Sequence, residues 1–404
     1  MNPNRAHLIA ATLLLLSSVE IAATAEEAAI RVATYNTSLF RDEPGQLVRD
    51  LEKGENEQAR RIAEVIQRVR PDILLINEFD YDDAHRAAEL FRTKYVAVSQ
   101  NGCEPIEFDH HFTAPVNTGR PSGRDLDKDG RLGGPADAIG YGRHEGQYGM
   151  LLMSRFPIDR PRVRTFQKFL WRDMPRAILP NDPRKSQPFY NDDDLAVLRL
   201  SSKSFWDAPV EVPAFPAARG SRPFTLHLLC SHPTPPVFDG PEDRNGHRNH
   251  DEIRLIAEYI DDRGSYLVDD AGHRGELARD ALFVILGDLN ADPLDGESAL
   301  GVMDRLLKHW RVNASFTPTS AGGPITVKQY ADQHVGHRGD PAHVTSNFTG
   351  EGHGCLRIDY ALPSRGLTVI GGGVFWPTPG EPGSEAVTAS DHRPVWIDVR
   401  SADR

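Results

Sequence analysis

The chain has 404 residues, 39 % of them hydrophobic and 8 % aromatic, which is too much apolar material for a wholly disordered polypeptide. Its 46 Lys and Arg against 58 Asp and Glu leave a formal net charge of −12, which argues against coating nucleic acid or anionic lipid by bulk charge alone. Catalysis on a phosphate stays open, because bound cations reverse the local field.

At the N-terminus, Arg5 and His7 precede an apolar stretch from Leu8 to Leu16, and Ala23-Thr24-Ala25 supplies small residues at the usual cleavage spacing. This is the plan of a secretory signal peptide, and the apolar stretch is shorter than the roughly 20 residues that cross a bilayer. The expectation is a signal over residues 1–25, removed after Ala25, and one large domain over residues 26–404. The mature protein is then secreted or periplasmic, without stable membrane insertion and with no protein partner implied.

Ile30 to Tyr35 reads as a short apolar strand. Glu57 to Arg70 reads as an amphipathic helix: Ile62, Ile66 and Val69 share a face that Val65 widens, and Pro71 stops it. Ile73 to Ile76 is apolar throughout, as expected of a strand buried on both faces. A helix over Asp83 to Phe91 and a strand over Tyr95 to Val98 follow. Residues 100–146, rich in Gly, Pro, Asp and His, read as a long ordered loop. Strand pattern resumes at Met150 to Met153, and residues 157–193 are irregular. Leu195 to Leu200 and Phe224 to Cys230 read as strands. Asp251 to Ile260 reads as a helix with Ile253, Ile256 and Ile260 on one stripe and Asp251 and Glu252 in its first turn. Leu282 to Leu286, Ile358 to Leu362 and Val395 to Val399 complete the core. Apolar strands separated by helices and long loops predict packed sheets with helices outside. Of the three cysteines, Cys230 lies in an apolar strand. That leaves Cys103 and Cys355 as the candidate disulfide of an exported protein.

Polar residues recur at the ends of these strands: Asn36, Glu78, His232, Asp288 with Asn290, Asp359, and Asp391-His392. A single Asp after a strand is ordinarily a turn former or a helix cap. Six such ends are different, because strand ends meet on one rim of a sheet. The residue types suit metal-assisted hydrolysis of a phosphate ester. Mg2+ or Mn2+ takes oxygen ligands, with Glu78 the foremost candidate, and the histidines supply a general base and a charged donor. Asn36 and Asn290 offer uncharged donors and acceptors to orient a ligand or a phosphate oxygen.

Seven segments, in this order, resemble the endonuclease/exonuclease/phosphatase superfamily: ATYN (33–36), PDILLINE (71–78), YGMLLMSRFPI (148–158), LHLLCSHPTPP (226–236), LGDLNADP (286–293), RIDYAL (357–362) and SDHRPV (390–395). The resemblance implies a four-layer α/β sandwich, two packed mixed β-sheets flanked by helices. It implies Glu78 as the main metal ligand with Asn36 beside it, and Asp391 as a second metal-site or histidine-supporting group. Asp288 and Asn290 would position the water and the phosphate, His392 would be the catalytic histidine and Asp359 its orienting carboxylate. His232 matches a further histidine of the deoxyribonuclease branch. His227 competes for that role, although within a strand it reads more readily as facing a neighbouring layer.

Two stretches depart from a minimal member. Asp125-Leu-Asp127-Lys-Asp129-Gly is the first half of a calcium loop, but its twelfth position is Ala136, with Asp137 next to it. Pro233 to Asn249 is an extension carrying Arg244, Asn245, Arg248 and Asn249, either a pocket wall or an ordered loop. His110-His111 reads as a loop feature. The leading substrate is a phosphodiester in a nuclease-like reaction. A phosphomonoesterase on sugar or inositol phosphates, a sphingomyelinase-like phospholipase and an exported binding module without catalysis are the alternatives.

Overall fold

A computed structural model describes residues 29–214 and 222–401, so the expected signal segment at residues 1–25 lies outside the described residues. The strands of the first half are β1 (Ile30–Leu39), β2 (Ile73–Phe79), β3 (His110–Phe112), β4 (Met150–Ser154), β5 (Arg164–Thr165), β6 (Asn181–Asp182) and β7 (Gln187–Pro188). The second half adds β8 (Phe205–Val212), β9 (Phe224–Ser231), β10 (Leu282–Asp288), β11 (Asp359–Pro363), β12 (Leu367–Val374) and β13 (Val395–Ser401). The helices are α1 (Gln46–Leu51), α2 (Glu57–Val69), α3 (Arg86–Phe91), α4 (Asp192–Leu195), α5 (Arg244–Tyr259), α6 (Asp304–Leu307) and α7 (Gly322–Gln329).

Two mixed sheets result, one of six strands in the order β12-β13-β1-β2-β4-β3 and one of five in the order β11-β10-β9-β8-β5. Each has one parallel pair at its centre, β1 with β2 and β9 with β10, and antiparallel neighbours outside. Strand alternation divides the apolar residues among three cores. Val32, Leu75 and Leu152 of the larger sheet meet Leu228, Val284 and Leu286 of the smaller one between the sheets. Ala33, Leu74 and Ile76 face the other way and pack under Ile62, Val65 and Ile66 of α2. Leu229, Phe283 and Ile285 pack under Ile253 and Ile256 of α5. Three cores between four layers make the αββα sandwich.

Several elements differ from the sequence reading. Tyr95 to Val98 is not a strand, because α3 runs on through a π-helical turn at Arg92–Val96. The Gln67 amide donates to the carbonyls of Val96 and Val98, at 2.9 and 2.7 Å, in place of a neighbouring strand. Leu195 to Leu200 is likewise not a sheet strand: Leu195 is the last residue of α4, which Asn191 caps, and the residues after it make a single bridge, between Arg199 and Leu170. The strand beside β9 is β8, whose Pro209 disguises it in the sequence. α5 begins at Arg244, so Asp251 and Glu252 are mid-helix and buried rather than in a first turn. They serve as tethers there: Asp251 accepts from Trp171 Nε1 and Ile178 N, both at 2.8 Å, and Glu252 from Ser202 N and Thr234 N. The expected Cys103–Cys355 disulfide is absent and all three cysteines are free thiols. Cys103 sits in the turn after the π-helical segment, whereas Cys355 lines a cleft at the seam of the two sheets.

Candidate active site

Both parallel pairs end at the same rim, and this brings the polar strand ends together. Asn36 lies opposite Asn77 in the β1–β2 register, and Asp288 opposite Asp359 in the β10–β11 register. Gly287 has a φ of 146°, and a Cβ there would fall 1.9 Å from the Ser231 carbonyl oxygen, so only glycine lets β10 close against β9 at this level. Asn77 stitches the sheets beneath the rim. Its amide donates to Ser231 O at 3.3 Å, and its Oδ1 accepts from Asp288 N at 3.2 Å.

Asp288 is the hub above that stitch. Its Oδ2 accepts from Asn36 Nδ2 at 3.1 Å and lies 3.5 Å from His232 Nε2 and 3.7 Å from His392 Nε2. The other oxygen accepts from Asn290 N at 2.9 Å, while the Asn290 amide donates to Pro233 O. His392 Nδ1 lies 2.8 Å from Asp359 Oδ2, which also accepts from Thr345 Oγ1 at 2.8 Å. Asp391, next along the chain, is exposed and accepts from Ser38 Oγ at 2.9 Å. Glu78 and Asn290 hold left-handed backbone, with φ of 58° and 50°, a strain that non-glycine residues tolerate mainly where the surroundings fix them.

Electrostatics set the two imidazoles apart. Burial and the nearby Lys203 ammonium hold His232 neutral, well below the usual histidine range. His392 is just as buried, yet the carboxylates of Asp359 and Asp288 overcome that penalty and keep it protonated, well above the usual range. Two titratable groups pushed in opposite directions around one carboxylate is the pattern of an acid and a base ready for proton transfer. Burial, with Asp391 close by, pushes the Glu78 carboxyl up to about 7. Burial also raises Asp288 above the ordinary carboxylate range.

Sites of this kind take a divalent ion, and the donors fit one. Asp288, Asp359 and His392 bring side-chain oxygen and nitrogen atoms to within 4.8 Å of one another, and Asp359 Oδ1 is buried with no hydrogen-bond partner; with His392 protonated, the carboxylate oxygens are the donors open to a cation. Glu78 and Asp391 add carboxyl oxygens whose mutual repulsion, one cause of the raised Glu78 pKa, a bound cation would relieve. The site opens into a cleft of about 1060 Å³, lined near the rim by Glu78, Tyr148, Asp288, Asn290 and Phe348.

A family model described as the Endonuclease/Exonuclease/phosphatase family matches residues 33–392, nearly the whole described chain. The chain belongs to that family. As a family member with this buried Asp/His cluster it is a metal-dependent phosphoesterase. Similar solved structures include an endonuclease/exonuclease/phosphatase from Beutenbergia cavernae, 18 % identical, with 93 % of this chain and 72 % of that one covered and a TM-score of 0.47. Sphingomyelinase C from Streptomyces griseocarneus is 16 % identical, covers 92 % and 99 % of the two chains and has a TM-score of 0.45. The human Nocturnin catalytic domain is 14 % identical, covers 93 % and 94 % and has a TM-score of 0.41. No curated protein matches the chain.

All eight residues singled out for catalysis and metal binding reach this rim, either within the hydrogen-bonded cluster or, as with Glu78, on the cleft wall beside it. His227 stays within the sheet, its Nδ1 2.7 Å from Asp207 Oδ1, which leaves the rim to His232. The sequence reading overlooked Lys203, Asn77 and Thr345. Lys203 is 6 % exposed, and its ammonium faces Glu252, Glu78 and Asp288; burial lowers its pKa. In the second acidic group, Asp125 and Asp127 are joined by Asp137, not by Asp129, with carboxylate oxygens within 4.8 Å. Asp129 is exposed, and its Oδ1 is taken by Arg131 N at 2.7 Å. In the 233–249 extension the polar side chains are structural. Arg248 donates to the carbonyls of Leu200, Ile139 and Arg199, and Arg244 pairs with Glu242, so the residues that reach the cleft are Pro235 to Phe238.

Proposed function

We propose that this family member is an exported phosphodiesterase. The observation that carries this reading is the shared Asp288 carboxylate between a neutral His232 and a protonated His392. Asp288, with neutral His232 beside it, accepts the one proton that the attacking water gives up as its oxygen bonds to phosphorus; Asn36 and Asn290 orient the phosphate oxygens; and the phosphorus bond to the leaving oxygen breaks as His392, fixed by Asp359, donates its proton to that oxygen. Glu78, Asn36 and Asp391 are the oxygen set suited to Mg2+ or Mn2+, since an imidazolium has no lone pair to lend a metal. Such an ion supplies charge stabilisation at the phosphoryl group.

A diester is favoured over a monoester by the sparse positive charge of the cleft. Arg338 is the sole Lys or Arg among its described lining residues, and its Nε lies 3.8 Å from Asp295. A diester brings one negative charge where a monoester brings up to two. The basic track that a polynucleotide would follow is missing from the same lining. Work outside the cytoplasm is supported by the signal-like pattern of residues 5–25. At the 125–137 loop, the buried and unpartnered Asp125 Oδ1 supports a Ca2+ ion held with Asp127 and Asp137.

Plasmid DNA, bis-p-nitrophenyl phosphate, p-nitrophenyl phosphate, phytate and sphingomyelin, each assayed with Mg2+ or Mn2+ and with chelator, test the reaction. We expect metal-dependent turnover of the aryl diester, falling by about 10²–10⁴-fold in His392→Ala. Full activity in that variant refutes the mechanism.

A further inference from the structure

Three loops bring apolar side chains to the mouth of the cleft and leave them in water. Phe238 is 79 % exposed, Val335 87 % and Leu294 44 %, and all three line the cavity that contains Asp288 and His392. Exposed apolar groups gathered at a concave site mark a binding surface.

Phe238 is held there under strain. Its φ is 65°, a left-handed conformation that a bulky aromatic residue rarely adopts. The residues on either side of it are clamped by a single asparagine at the start of α5. The Asn245 amide donates to Val237 O at 2.6 Å, and Asn245 N donates to Asp239 Oδ2 at 2.6 Å. Gly240 N and the Glu242 carboxylate close the same turn at 3.3 Å. The chain on both sides is therefore fixed while the ring itself is left uncovered. Strain kept at an uncovered side chain beside a reactive cluster points to a task at that position.

The charges around the mouth define what the ring meets. Asp295 accepts from Arg338 N at 2.9 Å and Gly339 N at 2.8 Å, lies 3.1 Å from His337 Nε2 and also faces the Arg338 guanidinium. Both nitrogens of His334 are occupied, by Tyr330 O and by Cys355 N. Glu297 and Glu351 add negative charge to the lining. Among the described lining residues the only Lys or Arg is Arg338, which already faces Asp295, so a second anionic group on the substrate meets little positive charge, whereas an uncharged apolar group meets Phe238, Val335 and Leu294.

We infer that Phe238 is a substrate-contacting, specificity-determining residue that packs on an uncharged aromatic or aliphatic substituent of a small phosphodiester. This rests on the phosphodiesterase reading above and narrows its substrate class: one phosphate, one bulky apolar arm, and no polyanion.

The test compares bis-p-nitrophenyl phosphate with methyl p-nitrophenyl phosphate, using the full chain and saturating Mg2+ or Mn2+. The two esters share a leaving group and differ in the arm that is kept. We expect wild type to favour the diaryl ester, and Phe238→Ala to lower the diaryl-to-methyl ratio of kcat/KM by about tenfold, mainly through KM for the diaryl ester. Phe238→Trp keeps the ratio. An unchanged ratio in Phe238→Ala overturns the inference while leaving the phosphodiesterase reading in place. A loss confined to hydrolysis of phosphatidylcholine vesicles overturns it in favour of docking on a lipid surface. Absence of metal-dependent turnover of both esters by wild type overturns the phosphodiesterase reading and this inference together.

Discussion

Lys203 shows what a single buried charge does at this rim. Its ammonium is taken out of water just before β8 and faces the carboxylates of Glu78, Asp288 and Glu252. Burial lowers its pKa and the three carboxylates restore part of it, so proton loss and charge pairing compete at one nitrogen. The same charge helps keep His232 neutral, as a base must be. Lys203→Met retains the length of the side chain and removes the charge. We expect kcat/KM for a phosphodiester to fall by about 10²-fold with the near-ultraviolet circular dichroism unchanged; wild-type kinetics in this variant would remove Lys203 from the site. Asp288 and His392 were legible in the sequence because GDLNADP and SDHRP set them in recognisable surroundings. Lys203 was not, because Ser-Ser-Lys-Ser carries no pattern and the strand after it is interrupted by Pro209. Asn77 and Thr345 were hidden for a related reason. Each acts by hydrogen-bonding across to an element distant in sequence, and nothing local to either residue announces that.

Elements were legible where the apolar run was long and partnered by another run. β1, β2, β9, β10 and β13 fall close to where periodicity places them, whereas Tyr95 to Val98 and Leu195 to Leu200 have strand-like composition but draw their hydrogen bonds from elsewhere. The acidic loop before β4 shows the same dependence on distant partners. Asp125 and Asp127 come from the recognisable half of the motif. Asp137 arrives from a 3-10 turn (Pro135–Asp137) ten residues on, where its carboxylate is already aimed inward by Leu126 N at 2.7 Å and Gly133 N at 2.8 Å. Calcium bound only by the folded loop stabilises the protein by linkage, about 2.7 kcal/mol when the free ion is at 100 times its Kd. We expect Ca2+ to raise Tm by several degrees, chelator to reverse this, and Asp127→Ala to abolish the response while phosphodiester turnover with Mg2+ persists. An equal Ca2+ response in Asp127→Ala would exclude the loop as the site.

At the scale of the whole molecule the reactive groups belong to two different sheets. Asn36 and Glu78 stand on the six-stranded sheet, Asp288 and Asp359 on the five-stranded one with His232 just past the end of its β9, and the hydrogen bonds of Asn77 to Ser231 and Asp288 join them. Periodicity indicated only that Ile73 to Ile76 is buried on both sides; which of its residues face the second sheet depends on β2 register, which no local pattern carries. That register separates two neighbouring leucines. Leu75 points into the core between the sheets, two residues before Asn77 and on the same face, whereas Leu74 points outward under α2. Both are essentially buried, so Leu74→Ala and Leu75→Ala should each lose about 2–5 kcal/mol of stability by chemical denaturation. Their kinetics should differ. A cavity at Leu75 loosens the seam beneath Asp288, so kcat falls even at temperatures where the variant is fully folded. The cavity at Leu74 lies behind the sheet and leaves the seam intact, so kcat stays near wild type. If the two variants lost kcat equally at matched stability, the seam between the sheets would not be what positions the rim.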